Sequence, residues 1–329
     1  MIERSRETLV NAVLAGLLLA APLVATVLDE PFYVSLASRV AILALAGVGL
    51  NLALGYGGMV SFGHAAFFGL GGYVAGIAAF HAFEGTAFVT WPITIGGSDQ
   101  ILVVWLVAAL VAALAALAIG AISLRTSGVY FIMITLAFAQ MIYYLAISIP
   151  AYGGEDGLAI YLRNRLPLAD SNDPLVFFFL CYGLLLLALF FSARIVAAPF
   201  GMALQCARMN EVRLATSGIA PYPVKLTAFV ISAVITGIAG ALFADLNGFV
   251  GPSMLSWHRS GEIMIFVILG GVGRLFGPLA GAALFILLES FIGGFTDRWQ
   301  LLLGAVLLGV VLFARGGVMG LLAGRARHD

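Results

Sequence analysis

Charge is scarce in this chain. Asp, Glu, Lys and Arg make up 10% of the residues, and 16 basic side chains balance 16 acidic ones. Soluble domains carry about 25% charged residues, so this complement cannot keep in water a sequence that is 62% hydrophobic. The mean hydropathy of +1.10 therefore excludes a water-soluble globular enzyme. Without a basic excess there is no electrostatic footprint for nucleic acid. Cysteine is nearly absent too: Cys181 and Cys206 offer neither a disulfide framework nor a metal cage. Lysine occurs once, as Lys225 between Val224 and Leu226. A phosphate-binding loop needs Gly-Lys-Ser/Thr, so the chain has no such means of binding ATP, and no cofactor is expected on it.

What is abundant is long apolar runs. They fall at about 9–28, 36–54, 61–80, 101–122, 129–149, 175–193, 225–245, 261–273, 279–292 and 300–314. The first could pass for a signal peptide, but at about 20 residues it is long enough to span, whereas signal cores have about 7–15. The expectation is an all-α polytopic integral membrane protein with about ten spans, some short or broken. It would form a single permease domain over 1–329, with one sizeable cytoplasmic loop at 194–224. Lys/Arg bias sets the direction. With the N-terminus inside, Arg4, Arg6, Arg125, Arg194, Arg208, Arg213, Lys225, Arg274, Arg315, Arg325 and Arg327 are cytoplasmic. Arg39, Arg163, Arg165, Arg259 and Arg298 fall outside with most acidic residues, Asp170 and Asp297 among them. Both termini are placed in the cytoplasm.

The densest glycine cluster, Asn51 to Tyr73, contains Gly55, Gly57 and Gly58, which favour a break in the helix. Broken backbone at membrane depth needs protein or a water-filled cavity to satisfy it. The cluster is either a packing knot or a discontinuous helix lining a path, with Ser61 and His64 exposed to it. Gly69, Gly71 or Gly72, and Gly76 form a small-residue face suited to close helix approach. His64 has no ligand-type neighbours and reads as a buried imidazole bonded to a carbonyl, or as a proton relay. Intramembrane carboxylates are functional candidates by default. Asp245 sits at the outer end of its span, where an interfacial position suffices; Glu289 either bonds a neighbouring helix or serves transport. In the outer loop Gly153-Gly154-Glu155-Asp156-Gly157, Glu155 and Asp156 either contact an external protein or keep the loop solvated.

The inner loop carries the sharpest local signal. Asn210 is a good N-cap, Glu211 suits the positive helix end, and Gly218 is a natural stop before Pro221. This predicts a short cytoplasmic helix presenting Leu214, Ile219 and charges.

Residues 55–69, Gly-Tyr-Gly-Gly-x-x-Ser-Phe-Gly-His-Ala-Ala-Phe-Phe-Gly, resemble the glycine-rich signature of branched-chain amino acid permeases of the LivM/LivH type. Leu124–Phe131, Thr135–Gln140, Gly153–Leu158, Arg208–Ile219, Lys225–Phe229, Ala239–Ala241 and Gly270–Pro278 resemble the LivM branch. The resemblance implies one half of the pore of an ATP-binding-cassette importer in the bacterial inner membrane. Its partners would be a LivH-like permease, two cytoplasmic ATPases that hold ATP and Mg, and a periplasmic binding protein. The matching segment here would be the ATPase-coupling helix, with Arg208, Asn210, Glu211, Arg213, Leu214, Gly218 and Ile219. Asn51, Ser61, His64, Gln140 and Glu289 are candidates for the translocation path, and Glu155 and Asp156 for binding-protein docking. Urea, short amides or small carboxylates are alternative substrates. A stand-alone secondary transporter or channel using Glu289, Asp245 and His64 is the alternative mechanism; an intramembrane enzyme lacks a credible catalytic set.

Overall fold

The computed structural model describes residues 2–89, 95–161, 163–165, 172–294, 299–313 and 316–324. The helices, in order, are α1 (Ile2–Val27), α2 (Pro31–Asn51), α3 (His64–Glu84), α4 (Ile101–Ser123), α5 (Val129–Ile147), α6 (Pro174–Ala197) and α7 (Pro199–Met209). They continue as α8 (Glu211–Thr216), α9 (Pro221–Asn247), α10 (Trp257–Gly270), α11 (Gly277–Gly293), α12 (Trp299–Phe313) and α13 (Gly317–Ala323). Four short strands pair antiparallel: β1 (Ala87–Val89) with β2 (Ile95–Gly96), and β3 (Leu158–Ala159) with β4 (Phe249–Val250). In the second pair Leu158 faces Val250 and Ala159 faces Phe249.

This is an all-α polytopic membrane protein. Seven helices, α1 to α6 and α9, are long and apolar enough to cross a bilayer. The last three expected spans fold as shorter helices of 14, 17 and 15 residues. At 1.5 Å per residue they rise about 21–26 Å, less than the hydrocarbon thickness of about 30 Å. Glycine sets this limit in α10 and α11. The segment Gly270–Gly277 reverses the chain, with φ +119° at Gly271 and +78° at Gly273, and the two helices pack directly on each other.

The centre of the bundle is α2. Apolar and small on every side, it is buried continuously from Val40 to Asn51 and packs against α1, α6, α9, α10 and α11. A helix without a polar face belongs in an interior. Small residues allow the close approach: a Cβ on Gly47 would lie 2.9 Å from Pro278 Cβ, and one on Gly49 2.6 Å from Thr236 Oγ1. The expected small-residue face of α3 divides in two. Gly69, Gly72 and Gly76 receive Leu255, Met254 and Val250, while Gly71 lies against the backbone of α9 at Gly237. On α4, Leu102, Leu106, Leu110, Leu114 and Leu117 form an exposed apolar row, and Ala108, Ala112 and Ala116 are buried on the opposite side. That is how a lipid-facing helix divides its surface.

Two ion pairs join residues that the charge bias puts on the same, outer side: Arg165 with Asp99 at 3.5 Å, and Arg259 with Glu262 at 2.6 Å. Arg208 reaches Gly55, and Lys225 reaches Glu211, at one end. Arg39 reaches Glu289, and Asn164 reaches Asp245, at the other. Asp170, Asp297, Arg298, Arg315, Arg325, Arg327 and the side chain of Arg4 lie outside the described residues.

Candidate functional site

The glycine cluster does break the helix. After Asn51 the chain makes a π turn over Leu52–Tyr56, and α3 begins only at His64. In the wider turn Gly57 N–H donates to Leu52 O at 3.2 Å and Met59 N–H to Ala53 O at 3.0 Å. The carbonyl of Gly55 instead accepts from Arg208 Nη1, reaching across from α7. Gly58 takes φ +67°, and a Cβ there would stand 2.8 Å from Arg208 Cγ. Glycine at this position thus serves both the turn and the arginine stem.

Each polar candidate near the break is buried and bonded. Asn51 Nδ2 donates to Arg274 O at 2.8 Å, and its Oδ1 accepts from Gly273 N–H at 2.9 Å. The π turn is thereby tied to the α10–α11 reversal. Arg274 in turn donates to Met319 O at 2.7 Å and to Gly324 O, which fastens α13 to the same end. Ser61 Oγ accepts from Gly63 N–H at 3.1 Å. Ser260 Oγ, from α10, accepts from Ala65 N–H at 2.8 Å and donates to Phe62 O at 2.6 Å, satisfying the start of α3.

His64 is fully buried between the edges of Phe67 and Phe229. Ser232 Oγ donates its proton to Gly49 O at 2.6 Å, so at 2.7 Å it accepts from His64 Nε2–H. The imidazole meets a carbonyl only through this serine. Its Nδ1 has no hydrogen-bond partner among the described residues.

At the same end, Asn210 Oδ1 caps α8 by accepting from Arg213 N–H at 3.0 Å. Gly218 follows with φ +86°, so both predicted ends of the short helix are present. Asn210, Glu211, Arg213, Gly218 and Ile219 are exposed. Glu211 also forms an ion pair with Lys225 on α9. Leu214 corrects the expectation: at 4% exposure it turns into the bundle. A six-residue helix lying against α9 must bury one side chain to stay attached, and Val212 at 73% takes the outward place. Sequence reading did not foresee α7 as a helix. The signal was Pro199 at its first position, where proline costs no hydrogen bond. Met202, Cys206 and Met209 lie on its exposed surface.

The other candidates lie apart from this network. Gln140 is half-buried on α5, and Glu155 and Asp156 are exposed beside the β3–β4 pair. Asp245 occupies the expected end of its span but is 1% exposed, covered by the outer loop; Asn164 Nδ2 donates to its Oδ1 at 2.7 Å. Glu289 pairs with Arg39 at 3.0 Å, the helix–helix bond that its position suggested. The sequence did not reveal Ser232, Ser260, Asn164 or Arg39 as partners. Their polarity within apolar surroundings was visible, but whom they met was not. Among the described residues no three His, Cys, Asp or Glu side chains gather to hold a metal.

Comparison with known proteins identifies the family. The family model described as "Branched-chain amino acid transport system / permease component" matches residues 32–313. The chain is 28% identical over 319 residues to the high-affinity branched-chain amino acid transport system permease protein LivM of Salmonella typhimurium, covering 88% of this chain and 71% of that protein. The same protein of Escherichia coli K12 gives the same identity and coverage. No solved structure matches. A bundle of apolar helices with its last spans shortened, broken at 52–63 and matched by the family model from α2 to α12, belongs to the permease components of branched-chain amino acid transport systems.

Proposed function

We propose that this chain is the membrane-spanning permease subunit of an ATP-binding-cassette importer for leucine, isoleucine and valine in a bacterial inner membrane. It pairs with a LivH-like permease. A periplasmic binding protein delivers substrate, and two cytoplasmic ATPases bind ATP and Mg and grip α8. The chain itself binds no cofactor and performs no hydrolysis.

The observation that carries this reading is the chain of bonds behind α8. Glu211 is tied to Lys225 on α9, and Arg208, two residues before the cap, is tied to Gly55 in the π turn. Asn51 then ties that turn to Gly273 and Arg274. A push on α8 reaches α9, α2 and the α10–α11 hairpin without crossing a flexible linker. Such motion would alternate access to a transient cavity, with selectivity residing mainly in the binding protein. Glu155 and Asp156 offer that protein a charged foothold, and Gln140 on α5 is a candidate for contact with passing substrate.

The test uses proteoliposomes holding the four-part complex and the loaded binding protein. A Val212→Ala, Arg213→Ala, Ile219→Ala variant changes only exposed side chains. It should lower ATP-driven leucine uptake by about tenfold or more, the effect of losing about 1.4 kcal/mol of docking, while the permease stays folded. Unchanged uptake would remove α8 from the coupling path.

A further inference from the structure

At the outer end of the bundle, between α2, α6, α9 and α11, lies a cavity of 780 Å³. Ligand cavities usually measure about 300–1,000 Å³. Arg39, Arg163, Asn172, Asn247, Glu289 and Ser290 supply much of its polar wall. Arg39 Nη2 donates to Glu289 Oε1 at 3.0 Å. The second carboxylate oxygen, Oε2, is buried and has no hydrogen-bond partner among the described residues. The carboxyl torsion of glutamate is soft, so a modest rotation turns that oxygen towards a ligand. Arg163 is fixed in the wall: its guanidinium stands 4.6 Å from the Phe177 ring centre, and Nε donates to Asp245 O at 3.0 Å.

Two guanidinium groups and one half-satisfied carboxylate complement a zwitterion with an anionic group and a primary amine. Depth separates the sources of such a ligand. Arg39 lies eight residues below Pro31 and Glu289 four below Gly293, about 12 and 6 Å at 1.5 Å per residue. The interfacial layer of a bilayer is about 5–7 Å thick on each face, so the cavity runs from headgroup level into the upper hydrocarbon. Phe32 in its wall is exposed, as are Leu287 and Phe291 on the turns of α11 around Glu289. Leucine, isoleucine or valine brings at most about four side-chain carbons to such a rim, whereas acyl chains are long enough to run along all three exposed side chains.

We propose that this cavity holds the headgroup of an aminophospholipid from the outer leaflet. Its phosphate lies against Arg39 and Arg163, and its primary ammonium against Glu289. A primary ammonium presents three donors to the carboxylate and a quaternary one none, so ethanolamine lipid is preferred over choline lipid.

Native mass spectrometry of the purified full chain reads this directly, with phosphatidylethanolamine, phosphatidylcholine, phosphatidylglycerol and free leucine as probes. Phosphatidylethanolamine should be retained about tenfold better than the other two lipids, the effect of one charge-assisted hydrogen bond. Glu289→Gln should abolish the preference. Ser35→Trp, at an exposed residue of the cavity wall, obstructs the cavity and leaves the ion pair in place, and should lower retention of phosphatidylethanolamine. Equal retention of the three lipids, or a preference that survives both variants, overturns the proposal. Displacement by leucine also overturns it and gives the cavity to a free amino acid. No transport is measured, so failure here leaves the coupling role of α8 untouched.

Discussion

Asn51 uses both ends of its carboxamide on one reversal of the chain, to Gly273 N–H and Arg274 O. Leucine at this position has similar bulk but leaves a buried donor and a buried acceptor unmet, at about 1–3 kcal/mol each. Asn51→Leu should therefore destabilise the protein by about 2–6 kcal/mol, seen as an earlier thermal unfolding transition in detergent. An unshifted transition would mean that water or relaxation satisfies the reversal. The polarity of Asn51 within an apolar run is legible in the sequence; its partners, more than two hundred residues away, are not. His64 shows the same division. Its isolation from metal-type ligands could be read along the chain, but Ser232 as the group between it and Gly49 O emerges only when α2, α3 and α9 meet.

Among the elements, α8 was the most readable, because its ends are set by neighbouring residues. Asn210 supplies the cap and Gly218 the left-handed stop, and neither depends on the rest of the fold. Its orientation does depend on the fold, which is why Leu214 faces inward. Asn210→Ala should cost the helix about 1 kcal/mol. Amide exchange over 211–217 should then speed up while exchange in α2 and α9 stays unchanged. If exchange over 211–217 does not change, packing of Leu214 rather than the cap holds the helix. The shortness of α10 and α11 was harder to foresee. Composition alone marks both as apolar, and the limit comes from the turn at Gly270–Gly277 and the space that α2 leaves for it.

For the whole molecule, the sequence indicated a membrane bundle and grouped its charged ends, since bilayer insertion depends on composition and charge bias more than on tertiary detail. It could not reveal which helix sits at the centre, because α2 from Val40 to Leu50 is as apolar as α4 and only packing separates them. At this scale the importer reading predicts company. Mild extraction should bring down a second permease and an ATPase, and ATP confined to the lumen of inverted vesicles should leave export of leucine from that lumen at background. Uphill transport by the chain alone would instead select the stand-alone transporter. Competition for uptake by urea, short amides or small carboxylates, rather than by leucine, isoleucine and valine, would reassign the substrate.

The two thiols occupy opposite situations. Cys181 is sealed in the interior of α6, and Cys206 stands open on α7. Nature has thus supplied a single reporter for which way the polypeptide is threaded through its membrane. A charged, impermeant maleimide applied to intact spheroplasts should leave the chain unlabelled, and the same reagent applied to inside-out vesicles should add one tag, at Cys206. Labelling of intact cells would turn the proposed threading upside down.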